Sequence, residues 1–189
     1  MSIIEIHNLT RDYGAGRGIF DISIQVEKGE AFGFLGPNGA GKTTTIRHLM
    51  GYLRPKAGSC TIDGSDCWKE RDLIQKKLGY IPGEISFFDD MIGNGFLRFL
   101  LDYRKVGENN RMNEMLERFG LDPDVKIRKM SKGMKQKTGI VAASMHDPDI
   151  LILDEPTSGL DPLMQSRFVE LIEEEKKERK DDPFVQSHV

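Results

Sequence analysis

The stretch Gly36-Pro37-Asn38-Gly39-Ala40-Gly41-Lys42-Thr43 restricts the fold of this chain more than any other feature. Two glycines, four residues between them, and Lys-Thr at the close give the spacing G-x-x-x-x-G-K-[ST]. Ahead of it, Ala31-Phe32-Gly33-Phe34-Leu35 reads as a short buried strand. Behind it, Thr44-Thr45-Ile46-Arg47-His48-Leu49-Met50 reads as the first turns of a helix. Strand, glycine-rich turn and helix is the context in which a backbone wraps a phosphate. The loop N–H groups and the helix N-terminus supply partial positive charge there. Lys42 then reaches the β- and γ-phosphates, and the Thr43 hydroxyl ligates Mg²⁺. Without a ligand the same stretch is only a glycine-rich turn. Spacing, Lys-Thr and flanking strand together favour the phosphate site, with Gly36 to Thr44 as its contacts.

The 189 residues suit one α/β domain, or one domain with an inserted lobe. A formal net charge of -3 gives no electrostatic reason to expect a nucleic-acid partner. Cys60 and Cys67 lack a matching Cys/His pair, so zinc is not expected, and a reduced, cytoplasmic setting fits. The first residues carry no basic segment followed by an apolar run and do not read as a signal peptide. No window is apolar enough to span a bilayer, so any membrane role is expected to come through a partner.

Ile3, Ile4, Ile6 and Leu9 suggest an opening strand, 12–18 a turn, and 19–26 a second strand in alternation. These predict an antiparallel layer ahead of the strand that feeds the glycine loop. Tyr13, in the predicted turn, could stack on a nucleotide base or could equally be a packing tyrosine. A strand is predicted at 59–64, a charged surface helix over 69–77 and a strand at 78–81. From about 84 to 145 the pattern is helical. Phe96, Leu97, Phe99, Leu100 and Tyr103 form one apolar stripe; Met112, Met115, Leu116 and Phe119 form a second, closed by Gly120. A third helix starts near Ser131. The segment reads as a helical lobe (about 84–145) set into an α/β lobe (about 1–83 and 146–189). Ile150-Leu151-Ile152-Leu153 is apolar enough for a strand buried on both faces. The helix predicted from Pro162 to about Lys180 carries a charge run at 173–180 that reads as a solvated face.

That buried strand ends in Asp154-Glu155. A carboxylate there is costly unless a cation meets it. With a phosphate loop upstream, Mg²⁺ is that cation, held by Asp154 directly or through water. Glu155 points elsewhere, toward the attacking water, as general base or as the group that orients it. The alternative is a polar strand end before Pro156.

Together, Gly36–Thr43, Ile150–Glu155, Ser158-Gly159-Leu160-Asp161 and Met130-Ser131-Lys132-Gly133-Met134-Lys135-Gln136 resemble the ATP-binding cassette (ABC) ATPases. The closest likeness is to the nucleotide-binding subunits of ABC transporters, and it covers essentially the whole chain. It implies a P-loop NTPase fold with a RecA-like core sheet, an N-terminal antiparallel β layer and an inserted helical lobe. It also implies Mg-dependent ATP hydrolysis in which two subunits sandwich two ATP molecules head to tail. Ser131 and Gly133 then match the signature element that contacts the γ-phosphate held by the opposite subunit. Asp161 matches the acid that meets the partner, and Tyr13 the adenine-stacking aromatic. The cycle would drive a separate polytopic membrane permease, which places the subunit in the cytoplasm at the inner face of the cell membrane.

Three departures stand out. After Ser131 the family usually has Gly-Gly-Gln; here Lys132-Gly133-Met134 follows, a form similar to bacterial exporter ATPases for drugs, antibiotic peptides or ions. Where the family has a Gln as Mg²⁺ ligand, this chain has Pro82-Gly83-Glu84. His188 falls at the spacing of the switch histidine that contacts the γ-phosphate, but 181–186 reads as a poor core strand because of Pro183. The family usually continues past this point, which suggests a truncated product. Two further readings stay open: a non-transport ABC protein, and a truncated nucleotide-binding module with impaired hydrolysis.

Overall fold

The computed structural model describes residues 2–37, 39–107, 110–178 and 184–188. Two sheets carry the architecture. The first is antiparallel, in the order β2-β1-β4-β5, from β1 (Ser2–Gly14), β2 (Arg17–Glu27), β4 (Ala57–Ile62) and β5 (Ser65–Asp66). The second is parallel, in the order β3-β8-β7-β6, from β3 (Ala31–Leu35), β6 (Leu78–Ile81), β7 (Ile150–Asp154) and β8 (Phe184–His188). Helix α1 (Lys42–Leu49) follows β3, and α2 (Arg71–Lys77) precedes β6. Between β6 and β7 lie α3 (Gly93–Arg104), α4 (Arg111–Arg118), a 3-10 turn at Ile127–Lys129 and α5 (Lys132–Ser144); α6 (Pro162–Glu178) follows β7.

Strand β7 shows why the parallel sheet is stable. All five of its residues are buried, and alternate side chains point to opposite faces. Ile150 and Ile152 join Ile4, Ile6, Ile46, Leu49 and Ile62 in one core between the two sheets. Leu151 and Leu153 join Leu97, Ile140, Val141 and Phe168 in a second core built with the helices. Each such aliphatic side chain contributes about 1.5–3 kcal/mol on burial. Truncating Leu153 to Ala would cost about 2–5 kcal/mol.

Several sequence expectations are corrected. The N-terminal hairpin is tighter than the predicted turn over 12–18: β1 runs to Gly14 and β2 resumes at Arg17, so Tyr13 lies on a strand. Ala15 and Gly16 take the positive φ angles (53° and 72°) that a two-residue hairpin turn needs. The first apolar stripe splits. Phe96 and Leu97 are buried and Leu100 is half-buried, whereas Phe99 and Tyr103 are exposed and stack on each other, with ring centroids 6.4 Å apart. The charge run of α6 is not uniformly solvated: Glu175 is buried against the Arg111 guanidinium of α4, and Glu174 meets Arg118 at 2.6 Å. Finally, 184–188 does form a strand, in the sheet interior between β3 and β7. Pro183 precedes the paired residues in sequence, so it withdraws no N–H from them.

Candidate nucleotide site

The loop after β3 turns because two of its glycines allow it. Gly41 has φ +87°, and a Cβ placed there would lie 2.2 Å from Ile19 Cγ2, so no side chain fits. That conformation starts α1 at Lys42, two residues earlier than the sequence pattern predicts. The first-turn N–H groups of a helix have no intrahelical partner. Here the first turn opens on a cavity lined by residues 39–44 together with Tyr13, Gly18, Asp154 and Glu155. Lys42 is buried and donates from Nζ to Gly36 O (2.5 Å) and Pro37 O (3.3 Å), which fixes the ammonium inside the loop. Asn38 lies outside the described residues.

Strand β7 carries its carboxylates to the same place. Thr43 Oγ1 donates to Asp154 Oδ2 at 3.1 Å, across 111 positions of sequence. Asp154 is buried and Glu155 exposed. Glu155 takes φ +50°, a left-handed backbone that costs a non-glycine residue about 1–2 kcal/mol. Such strain concentrates at functional sites, and here the turn sets Asp154 and Glu155 side by side in the wall of the cavity. A second cavity, lined by Thr43, Arg47, Tyr80, Gly83, Asp154 and Glu155 among others, adjoins the first through three shared residues. Burial, the Asp154 carboxylate and Tyr52 push the Tyr80 phenol up to about 12. A Cβ on Gly83 would lie 3.7 Å from Asp154 Oδ2, so this position faces the carboxylate but supplies no side chain. Glu84, exposed, lines the same second cavity.

The Thr43 hydroxyl and Asp154 carboxylate are hard oxygen donors that converge beside a phosphate cradle. That set fits Mg²⁺, which takes one or two protein oxygens and fills its octahedron with phosphate and water.

The signature segment stands apart. Ser131 caps α5, its Oγ accepting from Met134 N at 3.2 Å. Ser131 and Gly133 line neither cavity. Gly133 instead lies against the loop after β7, where a Cβ would be 3.1 Å from Gly159 O. Lys132 Nζ reaches Ser158 Oγ at 3.3 Å, and its stem covers Gly159, whose φ is +81°. Asp161 Oδ1 accepts from Met164 N at 2.9 Å and caps α6 ahead of Pro162, a favoured first helical residue. For His188 the structure gives the backbone only, paired with Leu35 at the end of β8 nearest the loop; its side chain lies outside the described residues.

Sequence reasoning placed Gln136 in the signature stretch but gave it no role. It is buried and donates from Nε2 to Pro156 O at 2.7 Å, tying α5 to the turn that follows Glu155. The available signal was a polar residue one turn before Ile140 on the core-facing side of a helix, which must find a partner there. Arg47 and Gly18, which line the two cavities, carried no such signal.

A phosphate cradle at a strand–helix turn, with a carboxylate pair from a buried strand of the same parallel sheet, defines a P-loop NTPase fold. Residues 19–158 match the sequence profile described as ABC transporter. The bacitracin transport ATP-binding protein BcrA of Bacillus licheniformis is 38% identical across 100% of this chain and 62% of its own length. The ABC transporter ATP-binding protein NatA of Bacillus subtilis is 37% identical across 92% of this chain and 72% of its own. A solved structure titled as the ATP binding subunit of an ABC transporter superimposes with a TM-score of 0.89 at 29% identity, over 99% of this chain and 80% of that one. The chain belongs to the ABC transporter family of ATP-binding proteins. It spans only about three fifths of the length of BcrA.

Proposed function

We propose that the chain binds MgATP at Gly36–Thr44 and hydrolyses it to power export through a separate membrane permease. The observation that carries this reading is the meeting of Lys42, Thr43, Asp154 and Glu155 around one cavity. Lys42 holds the β- and γ-phosphates. Thr43 and Asp154 hold the Mg²⁺, which when bound neutralises charge on those phosphates. Glu155 orients a water and accepts its proton as the water oxygen bonds to the γ-phosphorus. The bond from that phosphorus to the β–γ bridging oxygen breaks, giving ADP and phosphate. Tyr13 stacks on the adenine, and His188 meets the γ-phosphate from the end of β8. Ser131 and Gly133 serve the ATP of a second copy arranged head to tail, consistent with their position away from this chain's own cavity. Residues 84–145 act as an inserted helical lobe.

Export as the direction follows the relatives named for bacitracin and linearmycin resistance or transport. No helix among the described residues is long and apolar enough to cross a membrane, which suits a peripheral subunit at the inner membrane face with a membrane partner. The test is Glu155→Gln. ATP binding should persist while turnover falls by a factor of a hundred or more, about what a positioned proton acceptor contributes. Turnover at the wild-type rate would refute the role of Glu155. Gly83 favours a second reading, a module that binds nucleotide with impaired turnover. Measuring ATPase activity of the wild-type chain with its permease separates the two.

A further inference from the structure

Tyr13 lines the phosphate-loop cavity and is half exposed; Arg11, two residues before it on β1, does not line that cavity. The Arg11 guanidinium carbon lies 5.5 Å from the centre of the Tyr13 ring. Residues i and i+2 of a strand share a face, so arginine and ring lie side by side on the sheet. Arg11 Nη1 donates to Arg54 O at 3.3 Å, in the loop after α1. From the same loop Lys56 Nζ donates to Asp12 O at 2.9 Å. The end of β1 just before Tyr13 is thus tied, through Arg11 and Asp12, to the segment that leaves the phosphate-loop helix. Arg11 Nε is buried and has no hydrogen-bond partner among the described residues. The guanidinium carbon sits over the Tyr13 ring, and the Nη1 bond to Arg54 O anchors it there.

We propose that Arg11 is a positioning residue for the nucleotide base: stacked on one side of Tyr13 and anchored to Arg54 O, it holds the ring ready to receive adenine from the cavity side. This rests on the reading of Tyr13 as the base-stacking residue. A free tyrosine at a strand end must be ordered when a base binds, whereas a ring already clamped binds without that entropic cost. A cation on the far face also stabilises the ring's electron cloud in that orientation.

The test uses equilibrium binding of MgATP and of inorganic tripolyphosphate, which has the phosphates but no base. Arg11→Ala should weaken ATP by about threefold to tenfold, the range of one cation–π contact, and leave tripolyphosphate within a factor of two. Arg11→Lys should recover part of the loss, and Arg11→Met, which keeps the stem without the charge, should not. In a Tyr13→Ala background, Arg11→Ala should add nothing. Loss of ATP and tripolyphosphate affinity together would overturn the proposal, because Arg11 would then act on the phosphates or the fold. Additive losses from the two sites would overturn it as well. Tyr13→Ala with unchanged ATP affinity would overturn the base-stacking reading itself. Tyr13→Ala weakening ATP while Arg11→Ala does not would leave that reading intact and refute only the role of Arg11.

Discussion

The phosphate loop and the signature segment are both glycine-containing entries to a helix, yet they are built differently. At the loop, the sequence neighbours do nearly everything. Gly41 sets the left-handed turn, Lys42 folds back onto Gly36 O and Pro37 O, and only Asp154 comes from far along the chain. At the signature segment, the groups are engaged within the chain: Ser131 caps its own helix, Lys132 rests on Ser158, and Gln136 is bonded to Pro156 O. The first is a cradle around a cavity. The second is a helix N-terminus whose Ser131 and Gly133 line neither of the two cavities at the loop. In the proposed reading, one end of the site is formed by folding and the other by assembly of two copies.

The sharpest way to break this contrast is at Lys42. Replacing it with Ala removes a charge-assisted contact to phosphate and should lower ATP affinity of the chain alone by about tenfold to a hundredfold. An unchanged dissociation constant would mean the cradle is not the main grip.

A pH titration probes how the far end of α5 is held to the parallel sheet. His146, just past the end of α5, is buried and bonds through Nε2 to Leu78 O at 3.1 Å, so that nitrogen carries the proton. Burial, with the cations of Arg104 and Arg111 nearby, lowers its pKa to about 4, and the Leu78 carbonyl opposes the shift. Above about pH 6.5 the ring is neutral in folded and unfolded chains alike, and the stabilising contribution is fully present. Below that, the unfolded chain takes up the proton first, so stability declines until about pH 4, by on the order of 3 kcal/mol at most. His146→Gln should flatten that part of the stability–pH curve in chemical denaturation. A curve of the same slope would assign the loss to other groups.

The smallest expected effect is the most discriminating. Ser131→Ala should cost about 1 kcal/mol of stability through the lost cap. ATP affinity of the isolated chain should stay the same, while turnover of the permease-bound pair falls. Equal weakening of ATP binding in the isolated chain would place Ser131 at this copy's own nucleotide and erase the contrast.

The same contrast explains what was legible in the sequence. The strand–loop–helix unit, the double-faced strand at 150–154 and the antiparallel layer rest on local spacing and alternation, and the structure follows them. The stripe at 96–103 failed because helical spacing does not say how wide the buried face is: Phe99 and Tyr103 lie beyond its edge. Phe184–His188 was undervalued because its pairing is supplied by two strands distant in sequence, and the nearby proline drew the weight. Glu175 looked solvated because its partner Arg111 lies 64 positions away. Gln136 and Arg11 were given no role for the same reason: each bonds a backbone carbonyl that no pattern in its own neighbourhood points to.

The buried bond from Gln136 to Pro156 O acts as a tether between the two ends. Helix α5 cannot tilt away from the parallel sheet without breaking it or dragging along the peptide next to Glu155. If a second copy docks on the signature end, as proposed, this bond links the docked helix to the turn that carries the Glu155 carboxylate of the same copy.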